Sequence, residues 1–425
     1  MSNSKNVWVS STATILVIVC FFVSLFSRNL GEYSFDIVIL FVLFVTFRKQ
    51  APWSWKKLYY DIGFYNWLYL FYFWILVTLL LNPPIQLQSF SYLPEFLWIP
   101  ALPIFSRIFS LSRLDRYFAP AFAILTSLSM ICIIAHYFLM PANSEYFGYP
   151  NRLQGTFSNI NFLAHSYFLV FLLALGLFVA HLQNNEKGLA SLLAVTVITV
   201  FIALLLTFTR TIWFSIILSI PILFFFANRK MALRVFLSLC LLFGAIFISD
   251  IGGARDRITN TLTTNPGDTI RLTLWQTSFK IFLDNPVVGV GYMNNKRDIL
   301  MYLKKYGETN ITTEFDTHSH NEILSFLAGT GIVGTLLYLG LFVLFFLLGV
   351  KTLNLTPKKE AVKRGLLLGA IVIQPAFLIA GLADNNFEIH AARNWLVISW
   401  AILIWLASEK EVSIKINKIN GPTSK

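Results

Sequence analysis

Long apolar runs separated by short polar breaks repeat along the chain from residue 7 to residue 407. A membrane-spanning helix needs about 20 such residues, within a range of about 17–25. Twelve runs meet or approach that length: 7–26, 33–47, 64–81, 92–109, 118–140, 162–180, 189–208, 211–227, 231–249, 323–350, 365–382 and 395–407. The second and the last are short. The fourth carries Pro94, Pro100 and Pro103, an irregularity that a span tolerates when neighbours satisfy the freed backbone groups. One stretch breaks the rhythm. Residues 251–322 are polar, carry both charge signs and close on Asp316-Thr317-His318-Ser319-His320-Asn321 at the mouth of the tenth run. The pattern predicts an all-α polytopic membrane protein of about twelve transmembrane helices. Its expected layout is helices 1–9 over 1–250, a large loop over 251–322, helices 10–12 over 323–407 and a tail over 408–425.

Composition agrees with that reading. Of 425 residues, 56% are hydrophobic and 13% charged, against roughly 25% charged in soluble domains. The first run is too long, and lacks the small-residue cleavage site, for a removable signal peptide. Cys20, Cys132 and Cys240 all fall inside apolar runs, too far apart for a metal motif, and are read as small apolar fillers.

The net charge of +12 suggests nucleic acid until its distribution is mapped. With the N-terminus inside, the inner segments hold 21 lysines and arginines and the short outer segments hold 4, namely Arg28, Arg152, Arg210 and Arg393. The remaining 8 lie in the long loop, which the positive-inside rule excludes. The charge therefore marks topology rather than a nucleic-acid partner. Both termini are expected in the cytoplasm and the loop outside. The loop itself carries 8 basic and 8 acidic residues, so it is no polybasic lipid binder. Any anion there must be held by particular arginines, whose forked guanidinium suits a diphosphate.

Arg210 is the most pointed of the outer cations. It sits in Thr207-Phe208-Thr209-Arg210-Thr211, a hairpin with almost no loop, which fixes its charge at the membrane boundary. It is either a snorkelling side chain among lipid phosphates or a fixed cation for an anionic ligand. Asn159 and Asn161 stand at the entrance of the sixth run, where Asn159 is a candidate helix cap and the helix start offers free N–H groups. In the loop, Asp268 to Trp275 reads as a helix start. Ile270, Leu274, Phe279, Ile281 and Phe282 give it an apolar face, while Arg271 and Trp275, four apart, share another. Asn285 to Tyr292 supplies a turn. Its glycines lack the spacing and context of a dinucleotide fingerprint.

The segment from Asp316 to Asn321 admits three readings. Asp316, His318 and His320 alternate and could share one face of an extended segment as metal ligands. The histidines could simply cap a helix. A neutral imidazole could also serve as general base toward a hydroxyl.

These pieces, in this order, resemble the O-antigen ligase and polysaccharide polymerase superfamily of bacterial envelopes. The residues that carry the resemblance are Gly155 to Ala164, Thr209-Arg210-Thr211, Arg271 with Trp275, Asn285 to Gly291, His320 to Leu324 and Gly329 to Gly334. The likeness spans roughly residues 150–350. It implies a glycosyltransferase of GT-C character in the bacterial inner membrane, working at the periplasmic face without metal or other cofactor. The implied donor is a glycan on undecaprenyl diphosphate. The acceptor is a hydroxyl of the lipid A core for a ligase, or of another repeat unit for a polymerase. Carried onto this sequence, the resemblance implies His320 as base, with His318 as a second candidate. It implies Arg210 and Arg271 as diphosphate ligands, with Arg152 beside them. Asn159, Asn161, Asn321 and Trp275 are expected to position substrate. A lipid-linked oligosaccharide flippase is the alternative from another class. It would need ionisable groups near mid-membrane, where these spans are nearly free of charge. The large loop is then read as a lid that brings Arg271 and His320 over a membrane-level site.

Overall fold

Each of the twelve apolar runs corresponds to a helix in the computed structural model, which describes residues 2–25, 28–48, 64–82, 98–112, 114–139, 152–155, 157, 159–250, 255, 266–292, 294–305 and 318–419. Among these residues there are fourteen helices and no strand. In chain order they are α1 (Ser2–Ser24), α2 (Arg28–Phe47), α3 (Phe64–Leu81), α4 (Trp98–Leu111), α5 (Leu114–Leu139), α6 (Ile160–Gln183) and α7 (Lys187–Leu206). There follow α8 (Arg210–Ala227), α9 (Arg229–Ile248), α10 (Pro266–Asp284), α11 (Asn295–Lys305), α12 (Glu322–Leu355), α13 (Ala361–Gly381) and α14 (His390–Ile419). Among the described residues nine are long and apolar enough to cross a membrane, and α2, α3 and α4 contribute shorter apolar stretches. α4 begins at Trp98 and carries Pro103 inside it; Pro94 lies outside the described residues.

The core runs through α6, α13 and α14. α6 and α13 form the most extensive pair in the bundle, and glycine explains how close they come. A Cβ on Gly176 would meet the Gly365 carbonyl and the Gly369 backbone, and one on Gly365 would strike the Leu177 backbone. Small residues permit this approach where lipid supplies no hydrophobic drive between helices. α14 is buried throughout residues 391–408, whereas α9 at the margin has no buried residue. One polar pair inside the bundle joins α13 to α14. Trp400 Nε1 donates to Gln374 Oε1 at 2.7 Å, and Gln374 Nε2 reaches the Ala370 carbonyl at 2.8 Å.

α12 is broken at Gly331, whose φ of 66° and ψ of −171° lie outside the helical region. The break frees backbone groups, and other elements fill them. The turn after α10 supplies two partners: Val290 N donates to Ala328 O at 2.9 Å, and Ile332 N donates to Pro286 O at 2.8 Å. Trp74 Nε1 from α3 takes the Thr330 carbonyl at 3.0 Å. The glycine-rich 285–291 and 329–334 motifs are thus two halves of one joint. Leu274, Ile281, Val290, Ile299, Leu303 and Ala328 form a small core beneath it, so α10 and α11 are tied to the bundle. The apolar face expected for α10 holds at Leu274 and Ile281, but Phe279 points outward. Thr277 and Ser278 are buried in its place.

Candidate functional site

The amino ends of α6, α8, α12 and α14 and the carboxyl end of α13 meet at one end of the bundle. At its centre is Asp384, in the turn between α13 and α14. One carboxylate oxygen accepts from the Asn161 side chain at 2.9 Å and faces His165 Nε2 at 3.5 Å. The other accepts from the Asn385 backbone N–H at 2.9 Å and faces His320 Nδ1 at 3.7 Å. Burial alone would push the Asp384 carboxyl up. The two imidazoles outweigh it and hold the carboxyl well below the usual carboxylate range.

His320 comes to this carboxylate by an unusual backbone. Its φ is 47°, in the left-handed region that non-glycine residues rarely visit. Neighbours hold it there. The His320 N–H donates to His318 Nδ1 at 3.3 Å, and the two rings lie 3.8 Å apart between centroids. Asn321 then caps α12, accepting from Leu324 N at 3.0 Å while its own amide donates to the Leu382 carbonyl at 2.9 Å. Ser319 Oγ donates to the Asn321 carbonyl at 2.7 Å. Glu322, buried at the start of α12, accepts the Phe387 N–H at 3.2 Å and lies against Gly381. These contacts lock the mouth of α12 to the α13–α14 turn. Backbone strain that persists only because its surroundings over-determine it is a mark of functional sites.

The arginines lie in two further groups. Arg210 is the first residue of α8, preceded by Phe208 at a φ of 50°. Arg152 lies against the same hairpin, its Nε donating to the Thr207 carbonyl at 2.8 Å and its Nη2 to Thr209 Oγ1 at 3.3 Å. Leu153 N adds a bond to the Leu206 carbonyl at 2.9 Å. Arg152 and Arg210 therefore both lie at the start of α8. Arg271 and Trp275 stand one turn apart on α10. The Trp275 indole N–H is buried with no hydrogen-bond partner among the described residues. No hydrogen bond or ion pair joins Arg271 to the Asp384 cluster among those residues.

Each of the three asparagine side chains is engaged by protein groups. The Asn159 side chain caps α6 by accepting from Asn161 N at 2.8 Å. The Asn161 and Asn321 amides are committed to Asp384 and Leu382. All three build the site from protein groups. The proposed metal triad cannot be weighed, because Asp316 lies outside the described residues. Sequence reasoning offers the stretch 384–393 as either a sugar-binding segment or a simple polar turn, and singles out neither Asp384 nor His165 as a site member. Asp384 stood in a stretch equally readable as a polar turn, and His165 looked like one more polar residue near a helix end. The one available signal for Asp384 was the density of Asp384-Asn385-Asn386, a polar run long for a turn between two spans.

Residues 195–339 match the family model described as O-antigen ligase. The matched stretch contains Arg210, Arg271, Trp275, His318, His320 and Asn321, and ends before Asp384. No curated protein matches the chain.

Proposed function

We propose, from the match of residues 195–339 to the family model described as O-antigen ligase, that this chain transfers a glycan from undecaprenyl diphosphate to a hydroxyl of the lipid A core. The transfer takes place at the periplasmic face of the inner membrane, with both termini in the cytoplasm. The observation that carries the reading is the pairing of His320 Nδ1 with Asp384 across 3.7 Å. An ionised carboxylate can only accept hydrogen bonds. The contact is longer than a hydrogen bond in this structure; on this reading Nδ1 carries the proton toward the carboxylate, and Nε2 keeps its lone pair as the base. The His320 backbone N–H points at His318 Nδ1, so that nitrogen is unprotonated and His318 acts as a neutral brace. His320 is the base of the pair.

The step follows from these roles. His320 Nε2 takes the proton of the acceptor hydroxyl as its oxygen bonds to the anomeric carbon. The bond from that carbon to the diphosphate oxygen breaks, and its electron pair leaves with the diphosphate. The imidazolium formed is stabilised by Asp384 and later gives its proton to solvent. Arg210, with Arg152 and Arg271, stabilises the charge growing on the leaving diphosphate. The Trp275 N–H is a donor for a substrate oxygen, and Asn159, Asn161 and Asn321 hold the frame. Direct displacement inverts the anomeric carbon.

The test combines chemistry and genetics. Protein reconstituted with lipid-linked donor and core acceptor is expected to form the ligated product with inverted configuration. Retention would overturn the displacement step. A deletion strain is expected to lose long chains from the core while polymer accumulates on the lipid carrier. Single repeat units left on the core would instead identify a polymerase, and units trapped on the carrier inside would identify a flippase.

A further inference from the structure

Asp384 has a second imidazole that the transfer step does not use. His165, one helical turn past Asn161 on α6, is almost wholly buried, with Nε2 at 3.5 Å from the carboxylate. Both ring nitrogens are buried, and neither makes a hydrogen bond among the described residues. A core histidine kept only for packing would be expected to satisfy both ring nitrogens. Its Nε2 instead faces the carboxylate that also faces the base.

We infer that His165 is a positioning residue for transfer: it donates from Nε2 to one Asp384 oxygen and so turns the other oxygen toward His320 Nδ1. The inference rests on the reading of His320 as base, and its logic is local. Each Asp384 oxygen has one fixed donor, Asn161 on one side and the Asn385 backbone on the other, and one imidazole. An acceptor-only carboxylate requires Nε2–H on His165, just as it requires Nδ1–H on His320. The three groups come from α6, from the turn before α14 and from the mouth of α12. The glycine contacts between α6 and α13 set their relative height. The remaining ionisable neighbours, Glu322 and Glu388, are held by Phe387 N and by Ser325 and Asn385, which leaves His165 to orient the carboxylate. Removing it frees Asp384 to rotate toward Asn161 and releases the tautomer of His320.

Two readouts test this, one independent of transfer. The chain has 6 histidines, so nitrogen-15 histidine spectra of the full protein in lipid can be assigned by single replacements. In the parent protein the His320 signal is expected to report Nδ1–H. In His165→Leu it should shift to a mixture of tautomers, and in His165→Gln, which keeps a donor, it should stay near the parent. In single-turnover transfer, His165→Leu should slow the chemical step about 10- to 100-fold, the size of outer-shell histidine–carboxylate effects. Apparent donor affinity should be unchanged, with recovery in His165→Gln. Combined with Asp384→Asn it should add little, since both changes break one unit. An unchanged His320 tautomer in His165→Leu would overturn the inference even if transfer falls. A shifted tautomer with no fall in transfer would instead overturn the reading of His320 as base.

Discussion

The two ends of the α13–α14 pair handle charge in opposite ways. At the end away from the site, Lys363 meets Glu409 at 2.8 Å and Glu360 at 3.6 Å, while Lys410 meets Glu360 at 3.2 Å. Full charges of both signs are matched there, and the Glu409 and Glu360 side chains keep 34% and 28% exposure. At the other end Asp384, at 10% exposure, makes no ion pair with a lysine or arginine among the described residues. It has an amide, a backbone N–H and two imidazoles. The first arrangement is what a protein uses to fasten helices. The second leaves an anion compensated by groups that can take up or give up protons, which is how a site is poised for chemistry.

Changes at the two ends should therefore differ in kind. The largest effect is expected at the leaving-group cations. Arg210→Ala should lower transfer by about 100-fold or more while the protein still inserts, and Arg210→Lys should recover only part, because the point charge lacks the fork. Measuring product from reconstituted donor decides this, and full activity in Arg210→Ala would remove that residue from the site. Asp384→Asn should slow transfer about 100-fold with little change in apparent acceptor affinity. It should also alter acid stability. A carboxyl held below its ordinary range stabilises the folded state at neutral pH, and that contribution is lost as pH falls through and below about 4. The melting gap between the parent and Asp384→Asn should close over that interval; a gap that widens with acid would contradict the ionised assignment.

A smaller effect belongs to the joint in α12. Gly331→Ala meets a positive φ costing about 1–2 kcal/mol, and its Cβ would collide with the Val287 carbonyl. Thermal stability in detergent should drop, with transfer falling only as folded protein is lost. The smallest effect is expected at the far end. Lys363→Ala breaks a partly exposed pair worth about 0–1 kcal/mol, and transfer should stay within about twofold. A large catalytic loss there would erase the contrast between the two ends.

Much of the fold was legible because membrane spans are written locally, as runs of apolar residues whose length matches the bilayer. Arg210 was legible for the same reason: a lone charge in a hairpin between two such runs needs an explanation on the spot. The start of α12 was visible as a polar segment before an apolar helix, but the reading offered the histidines as caps where Asn321 is the cap. Asp384 was not legible, because its meaning lies in Asn161, 223 residues earlier in the chain. His165 was hidden by the same distance. The two glycine motifs could be seen separately, yet their interlocking through Val290 and Ile332 depends on a helix break that periodicity does not reveal.

The pairing of His320 with Asp384 as the proton-accepting unit is tested most directly by single-turnover transfer in His320→Gln, with insertion and donor binding verified in the same preparation. A loss of about 100-fold or more, the range of a general base, is predicted with donor binding unchanged. Transfer within about tenfold of the parent would contradict it.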